Sequence, residues 1–273
     1  MKKIIITVIT IVSIFTSCKK ETDSANSSVV IEGTISTYMP PVLTLTKNVE
    51  YNLNPGKDVY ENSFIHKALV IIETKDGLTD TLTEISYIDP GTGWTTYQYT
   101  SFKIKGETGK SYTLKVTTEG KTYSALATVL PSVKIQEVWY ENHPAIDSLK
   151  TILIKILDPL GANYYGYLAA VNGRNGRIFQ TGISTFDDNS FDGKEYTKTI
   201  SGDVNGYFSV GDTVTVKLGN SEKLFYDAWI SINLLRSQNQ NAIITSSRIV
   251  GNIKGCLGYW SGVGGDKKSI VIK

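Results

Sequence analysis

A two-residue rhythm constrains this chain more than any other feature. Polar and apolar residues alternate without a break in Thr213-Val214-Thr215-Val216-Lys217-Leu218, and Tyr112, Leu114 and Val116 alternate with Thr113, Lys115 and Thr117. Successive side chains of an extended strand point to opposite faces, so each such run has one apolar face that must be buried against a second layer. Seven runs of this kind succeed one another from Val29 to Leu130: Val29–Ser36, Val42–Val49, Lys67–Thr74, Thr79–Ser86, Thr95–Lys103, Ser111–Thr118 and Lys121–Leu130. Lys75-Asp76-Gly77 and Thr118-Glu119-Gly120-Lys121 supply hairpin turn residues, since glycine tolerates the positive φ that tight turns need. Strands this short at this spacing, with no helical periodicity between them, predict an immunoglobulin-like or fibronectin-like sandwich over residues 29–131.

Pro131 ends the last of these runs, because proline cannot donate to a strand ladder, and marks the expected domain boundary. A second β-rich region, residues 132–273, follows with runs at Val133–Tyr140, Thr151–Leu157, Tyr164–Asn172, Arg177–Gly182, Glu195–Ser201 and Thr213–Leu218, and late strands near Arg248–Ile253 and Ser269–Ile272. One helix is expected near residues 221–236. Gly219-Asn220-Ser221 offers cap residues, and Leu224, Phe225, Ala228, Trp229, Ile232 and Leu235 recur at helical spacing. That stripe is expected to pack on the second sandwich. The fold class is therefore mainly β, with two tandem β-sandwich domains and one amphipathic helix in the second.

The N-terminus is organised differently. Lys2 and Lys3 precede the apolar run Ile4–Phe15, and Thr16-Ser17-Cys18 closes it, the layout of a secretory signal peptide ending at a lipid-acceptor cysteine. The run is too short for a spanning helix, which needs about 20 apolar residues. Residues 1–17 are thus expected to be removed, Cys18 to carry the lipid, and the polar stretch 18–28 to act as a flexible tether. Loss of Lys2 and Lys3 takes 28 basic residues to 26, equal to the 26 acidic ones, so the mature chain is formally neutral. A basic stripe of the kind that neutralises nucleic-acid phosphates is not expected. With Cys18 lipidated, Cys256 has no disulfide partner within the chain and reads as a small packed side chain.

Signatures of catalysis are sparse. His66 and His143 fall on opposite sides of the boundary and lack metal-ligand spacing, and neither a Gly-x-Ser-x-Gly elbow nor a phosphate loop is present. No cofactor and no catalytic residues are expected. Asp188, Ser190 and Asp192 before Gly193 match the start of a calcium loop, but Thr199 stands where the closing glutamate belongs; the competing reading is a solvated loop anchored by Phe191. Aromatic residues are the other candidates. Trp94, Tyr97 and Tyr99 cluster around one run, and Tyr259 and Trp260 sit in a glycine-rich segment. Exposed, such rings suit a protein or sugar partner; buried, they are ordinary sandwich core.

Several segments resemble one family. Val30-Ile31-Glu32-Gly33-Thr34-Ile35, Pro41–Thr46 and Gly109–Val116 are similar to the N-terminal half of DUF4249, a family of Gram-negative lipoproteins. Asp187-Asp188 with Phe191-Asp192-Gly193, the helix from Ser221 to Leu235, Gly251-Asn252-Ile253 and Gly258-Tyr259-Trp260 resemble its C-terminal half. The resemblance implies an outer-membrane lipoprotein whose partner is a TonB-dependent receptor, and Lys19-Lys20-Glu21 resembles a partial surface-export signal. It also implies glycine where this chain has Cys256. The expected function is a surface-exposed, non-enzymatic accessory or ligand-binding protein of such a receptor. The alternatives are a structural or adhesive envelope protein and, more remotely, a glycan-active enzyme.

Overall fold

The computed structural model describes residues 29–47, 56–173, 176, 178–202, 204–237 and 251–273. The leader, Cys18 and the tether lie outside the described residues, as do residues 248–250 of an expected strand. The chain is mainly β. Its first part contains β1 (Val29–Ser36), β2 (Val42–Lys47), α1 (Lys57–Glu61), β3 (Leu69–Thr74), β4 (Thr79–Thr81), β5 (Thr83–Ile88), β6 (Thr95–Thr100), β7 (Ser111–Thr118) and β8 (Lys121–Thr128). There follow β9 (Ile135–Asn142), β10 (Leu149–Leu157), β11 (Tyr164–Asn172), β12 (Ile178–Gln180), β13 (Ser184–Asp187), β14 (Glu195–Ile200), β15 (Phe208–Ser209), β16 (Thr213–Ser221), α2 (Lys223–Ser237) and β17 (Leu257–Val271). Among the described residues no helix is long and apolar enough to cross a membrane.

Among the described residues a nine-stranded sheet runs in the order β12-β11-β16-β17-β1-β2-β6-β5, with β13 also on β11. Two four-stranded sheets cover it. The sheet β4-β3-β7-β8 closes a core formed by Ile31, Ile35, Leu43, Ile72, Leu114, Val116 and Trp260, among others. The sheet of β14, β10, β15 and β9 closes a second core around Ile152, Ile154, Tyr165, Val214 and Val216. The period-two runs are the reason: β7 buries Tyr112, Leu114 and Val116, and β16 buries Val214, Val216 and Leu218.

The two sandwiches are not sequential along the chain. The first core also takes Ile253, Cys256 and Trp260 from the C-terminal segment. Strand β17 pairs in parallel with β1 from Leu257 to Val263, and then antiparallel with β16 from Val263 to Val271. At roughly 3.3 Å per residue it extends about 50 Å, long enough to belong to both sandwiches. Only its last residues were expected as a strand, because Gly258, Gly262, Gly264 and Gly265 interrupt the apolar rhythm.

Those glycines have a steric cause at the waist between the cores. The connection from β8 to β9 crosses β17 there, backbone on backbone. A Cβ on Gly262 would lie 2.2 Å from the Thr128 carbonyl, and one on Gly264 would lie 2.4 Å from the carbonyl oxygens of Leu130 and Pro131. Polar groups fasten the crossing. Asn252 donates from Nδ2 to the Trp260 carbonyl at 2.8 Å and accepts the Trp260 N–H at 2.9 Å, while Asp266 accepts from the Ile135 N–H at 2.8 Å and from Lys134 Nζ at 3.0 Å.

Two more local outcomes depart from the alternation. The expected strand Thr79–Ser86 divides at Leu82 into β4, which pairs with β3, and β5, which pairs with β6, so the chain changes sheets without losing its rhythm. The helix α2 rests on β11, β13 and β17, on the face of the large sheet away from the second core. Phe225, Ala228, Trp229 and Ile232 pack there against Tyr259.

Gly262→Ala is expected to destabilise the chain by about 3 kcal/mol through overpacking at the waist. Gly265→Ala, whose Cβ would meet nothing within 4 Å, is expected to change stability by less than about 0.5 kcal/mol. Urea unfolding of the two variants side by side measures the difference.

Candidate functional site

Of the five aromatic residues singled out from the sequence, the structure buries three, and their expected role as contact residues is corrected accordingly. Trp260 is fully buried in the first core, its Nε1 donating to the Tyr112 carbonyl at 2.9 Å. Tyr259 lies under α2, edge-on to Phe225 with ring centroids 5.2 Å apart. Tyr99 is buried as well: its hydroxyl donates to the Ile65 carbonyl at 3.0 Å, accepts from the Ala68 N–H at 3.1 Å and lies 3.1 Å from Glu84 Oε2. Burial, with Glu84 alongside, pushes the Tyr99 hydroxyl up to about 12, so it stays neutral. Alternation explains all three, since each takes the inward-facing or helix-covered position of its strand.

Trp94 and Tyr97 are half-buried and join a ladder of rings. Trp94 sits 5.4 Å from Tyr60, Tyr60 5.1 Å from Phe64, Phe64 5.4 Å from Tyr97, and Tyr97 4.6 Å from His66. The short helix α1 supplies Tyr60, and Thr95 is tied to it by an N–H donated to Glu61 Oε1 at 2.7 Å. His66 Nδ1 is hydrogen-bonded to Glu84 Oε1, and Glu84 Oε2 accepts the Lys67 N–H at 3.0 Å. Burial works to raise the Glu84 carboxyl, but hydrogen bonds from His66, Lys67 and Tyr99 outweigh it and hold it below its ordinary value. Beside the ladder opens a groove of about 550 Å³, lined by Lys47, Phe64, His66, Lys67 and the β7–β8 hairpin tip from Thr117 to Gly120. Tyr60, Phe64 and His66 lie in a stretch without alternation, and only their proximity in space to Trp94 or Tyr97 marks them.

A second exposed group lies at the waist. Tyr38, Met39 and Phe102 are 79%, 57% and 77% exposed, large values for apolar side chains. Tyr38 holds φ at +61°, a left-handed conformation that a bulky residue rarely adopts. Its N–H donates to the Gly106 carbonyl at 2.8 Å, and the Gly106 N–H donates back to the Met39 carbonyl at 3.0 Å, which fixes the loop. Thr100 Oγ1 donates to the Pro41 carbonyl at 2.8 Å, drawing the segment that carries Phe102 alongside. Tyr38-Met39 before Pro40-Pro41, two apolar residues in a turn, was the available sequence signal.

The acidic loop folds differently from the calcium pattern. Asp188 and Asp192 are joined by Asp158, just past the end of β10, and each of the three places a carboxylate oxygen within 4.8 Å of the others, while Ser190 is exposed. Asp158 and Asp188 are buried. Asp158 accepts from the Tyr165 hydroxyl and from the Gly193 N–H at 2.9 Å, Asp188 from the Asn163 N–H at 2.8 Å, and Asp192 from the Gly161 N–H at 2.8 Å. These residues could hold a hard cation, although one close oxygen from each of three carboxylates is fewer than the six to eight that calcium takes. What the contacts establish is a clasp that pins two loops to β11. Cys256 is buried in the first core, and burial pushes its thiol up to about 12, in keeping with a packed side chain.

The model of a family described as a domain of unknown function, DUF4249, matches residues 17–269. The chain belongs to this family. No curated protein matches it. Among solved structures it is similar to a pullulanase from Anoxybacillus sp. LM18-11, both complexed with maltotriose (TM-score 0.22, 11% identity, 69% of this chain and 24% of that one) and in a second structure (TM-score 0.23, 11% identity, 70% and 24%). The chain thus spans about a quarter of those proteins, and scores this low carry no argument about fold or activity. The DUF4249 match includes the aromatic ladder, the waist loops and the acidic clasp.

Asp158→Ala is expected to cost about 3 kcal/mol, because it leaves the buried Tyr165 hydroxyl and the Gly193 N–H without their acceptor. Urea unfolding tests this, and a loss below about 0.5 kcal/mol would show that the clasp does not stabilise the fold.

Proposed function

We propose that this protein is a lipid-anchored, surface-exposed outer-membrane protein that works by binding, as an accessory partner of a TonB-dependent receptor. The observation that carries the binding role is the exposure of Tyr38, Met39 and Phe102. Large apolar side chains left in water mark protein contacts, and a loop whose backbone is already fixed by hydrogen bonds loses little entropy on docking. Holding Tyr38 at positive φ costs further energy, a strain that clusters at binding loops. The leader ending at Cys18 and the membership in DUF4249 support the location.

The group lies beyond the far end of β1, about 25 Å from Val29 at roughly 3.3 Å per residue. A tether ending at Val29 would therefore hold the waist off the lipid surface, within reach of a barrel's loops.

Affinity capture of the tagged chain from detergent-solubilised outer membranes tests both halves. The wild-type chain is expected to bring down a large β-barrel protein, and Tyr38→Ser with Phe102→Ser to lose it while remaining folded. Cys18→Ser is expected to move the chain from the membrane to the soluble fraction. Recovery of the wild-type chain alone at high yield would contradict the receptor partnership, and continued membrane association of Cys18→Ser would contradict the anchor.

A further inference from the structure

The acidic clasp holds an apolar loop out in water. Leu160 is 87% exposed, the largest value for a big apolar side chain among the described residues, and Leu157 is 52% exposed. Pro159 and Ala162 beside them are exposed as well. Leu157 pairs with Glu195 across β10 and β14, and Leu160 lies over Gly193, where a Cβ would come within 2.6 Å of Leu160 Cδ2. Both leucines therefore stand beside one short segment, Gly193 to Glu195.

The backbone of this loop is tied at nearly every residue. The Asp158 N–H donates to the Lys194 carbonyl at 3.0 Å, the Gly161 N–H to Asp192 at 2.8 Å and the Asn163 N–H to Asp188 at 2.8 Å. Asn163 Nδ2 donates to the carbonyls of Pro159 at 3.0 Å and Gly161 at 2.6 Å. A loop fixed in this way has little order left to lose when a partner covers it.

The surrounding charges specify what could cover it. Asp158, Asp187, Asp188, Asp192 and Glu195 gather here, and among the described residues the lysine left to oppose them is Lys194. The others nearby are engaged: Lys134 lies 3.0 Å from Asp266, Lys155 3.5 Å from Glu137 and Lys223 2.6 Å from Asp227. Lys198 is turned inward over the rings of Phe186 and Tyr167, and the acids outnumber the bases even when it is counted. An anionic lipid surface would be repelled. A second copy docking through a two-fold axis would set these acids against themselves.

We propose that the clasped loop between β10 and β11 is a docking site for a basic protein surface, which receives Leu157 and Leu160 in an apolar pocket rimmed by lysine or arginine. The leucines supply apolar area to bury, and the acids steer the partner and select its charge. The clasp thus has a use beyond stability, since it fixes the loop that carries the contact. The site lies on the second sandwich and does not rest on the receptor contact proposed for Tyr38 and Phe102.

The test uses the whole chain from residue 18 onward carrying Cys18→Ser, isotope-labelled and titrated with a short peptide of alternating lysine and leucine. Chemical-shift changes are expected at residues 157–163 and 188–195 and are expected to fade with added salt. The same peptide with glutamate in place of lysine is expected to leave these amides unmoved. Leu160→Ser is expected to weaken peptide binding about ten-fold and Asp192→Asn with Glu195→Gln about five-fold. Leu126→Ser, at a leucine 59% exposed on the first sandwich, is expected to change nothing. Shift changes spread over other surfaces, or equal affinity of Leu160→Ser, would overturn the site. So would a dimer in sedimentation equilibrium that Leu160→Ser dissociates, because a second copy would then cover the loop. Loop amides moved by phosphatidylcholine vesicles but by neither peptide would overturn it too. The capture experiment on Tyr38 and Phe102 is read independently of all these outcomes.

Discussion

Everything in this structure depends on one strand lying flat under another piece of backbone. Strand β17 completes the first sandwich beside β1 and then the second beside β16. It can do so only because Gly262 and Gly264 present no side chain where the β8–β9 connection crosses. A larger residue at either position would push the crossing away and open the seam between the cores. The hydrogen bonds of Asn252 and Asp266 fix the crossing on either side, so two hydrophobic cores that share no side chain among the described residues are fastened through the main chain that runs between them.

That fastening gives the molecule fixed ends. The start of β1 is one end, with Lys47, Lys67 and the ring ladder around it, and the waist loop with Tyr38 lies past the other end of the same strand. Because β1 pairs with β17 over nearly its whole length, the spacing between these two groups is set by a paired strand and not by a linker.

Much of the fold was legible because period-two alternation reports burial directly. The bounds of β1, β7 and β11 follow from it residue by residue, and helical spacing in the same way gives the stripe that lays α2 on the sheet. It failed where another constraint governed. Glycines selected for close approach hid most of β17, the inward residues Asp80 and Leu82 carried the rhythm through a change of sheet, and α1 is too short to show a period. The candidate sites were less legible for the same reason. Alternation places Tyr99 inward but says nothing of Tyr60 and Phe64, which meet Trp94 and Tyr97 only in three dimensions, and spacing along one loop could not show that Asp158 joins Asp188 and Asp192 from another element.

If β17 fastens the cores as described, the two sandwiches open together. Native-state hydrogen exchange at increasing urea, read on the amides of β7 in the first sandwich and β10 in the second, measures this most directly. The account predicts that both strands converge on one opening free energy and one dependence on urea, the signature of a single cooperative unit. Separate opening energies, with one sandwich exchanging while the other stays protected, would contradict it.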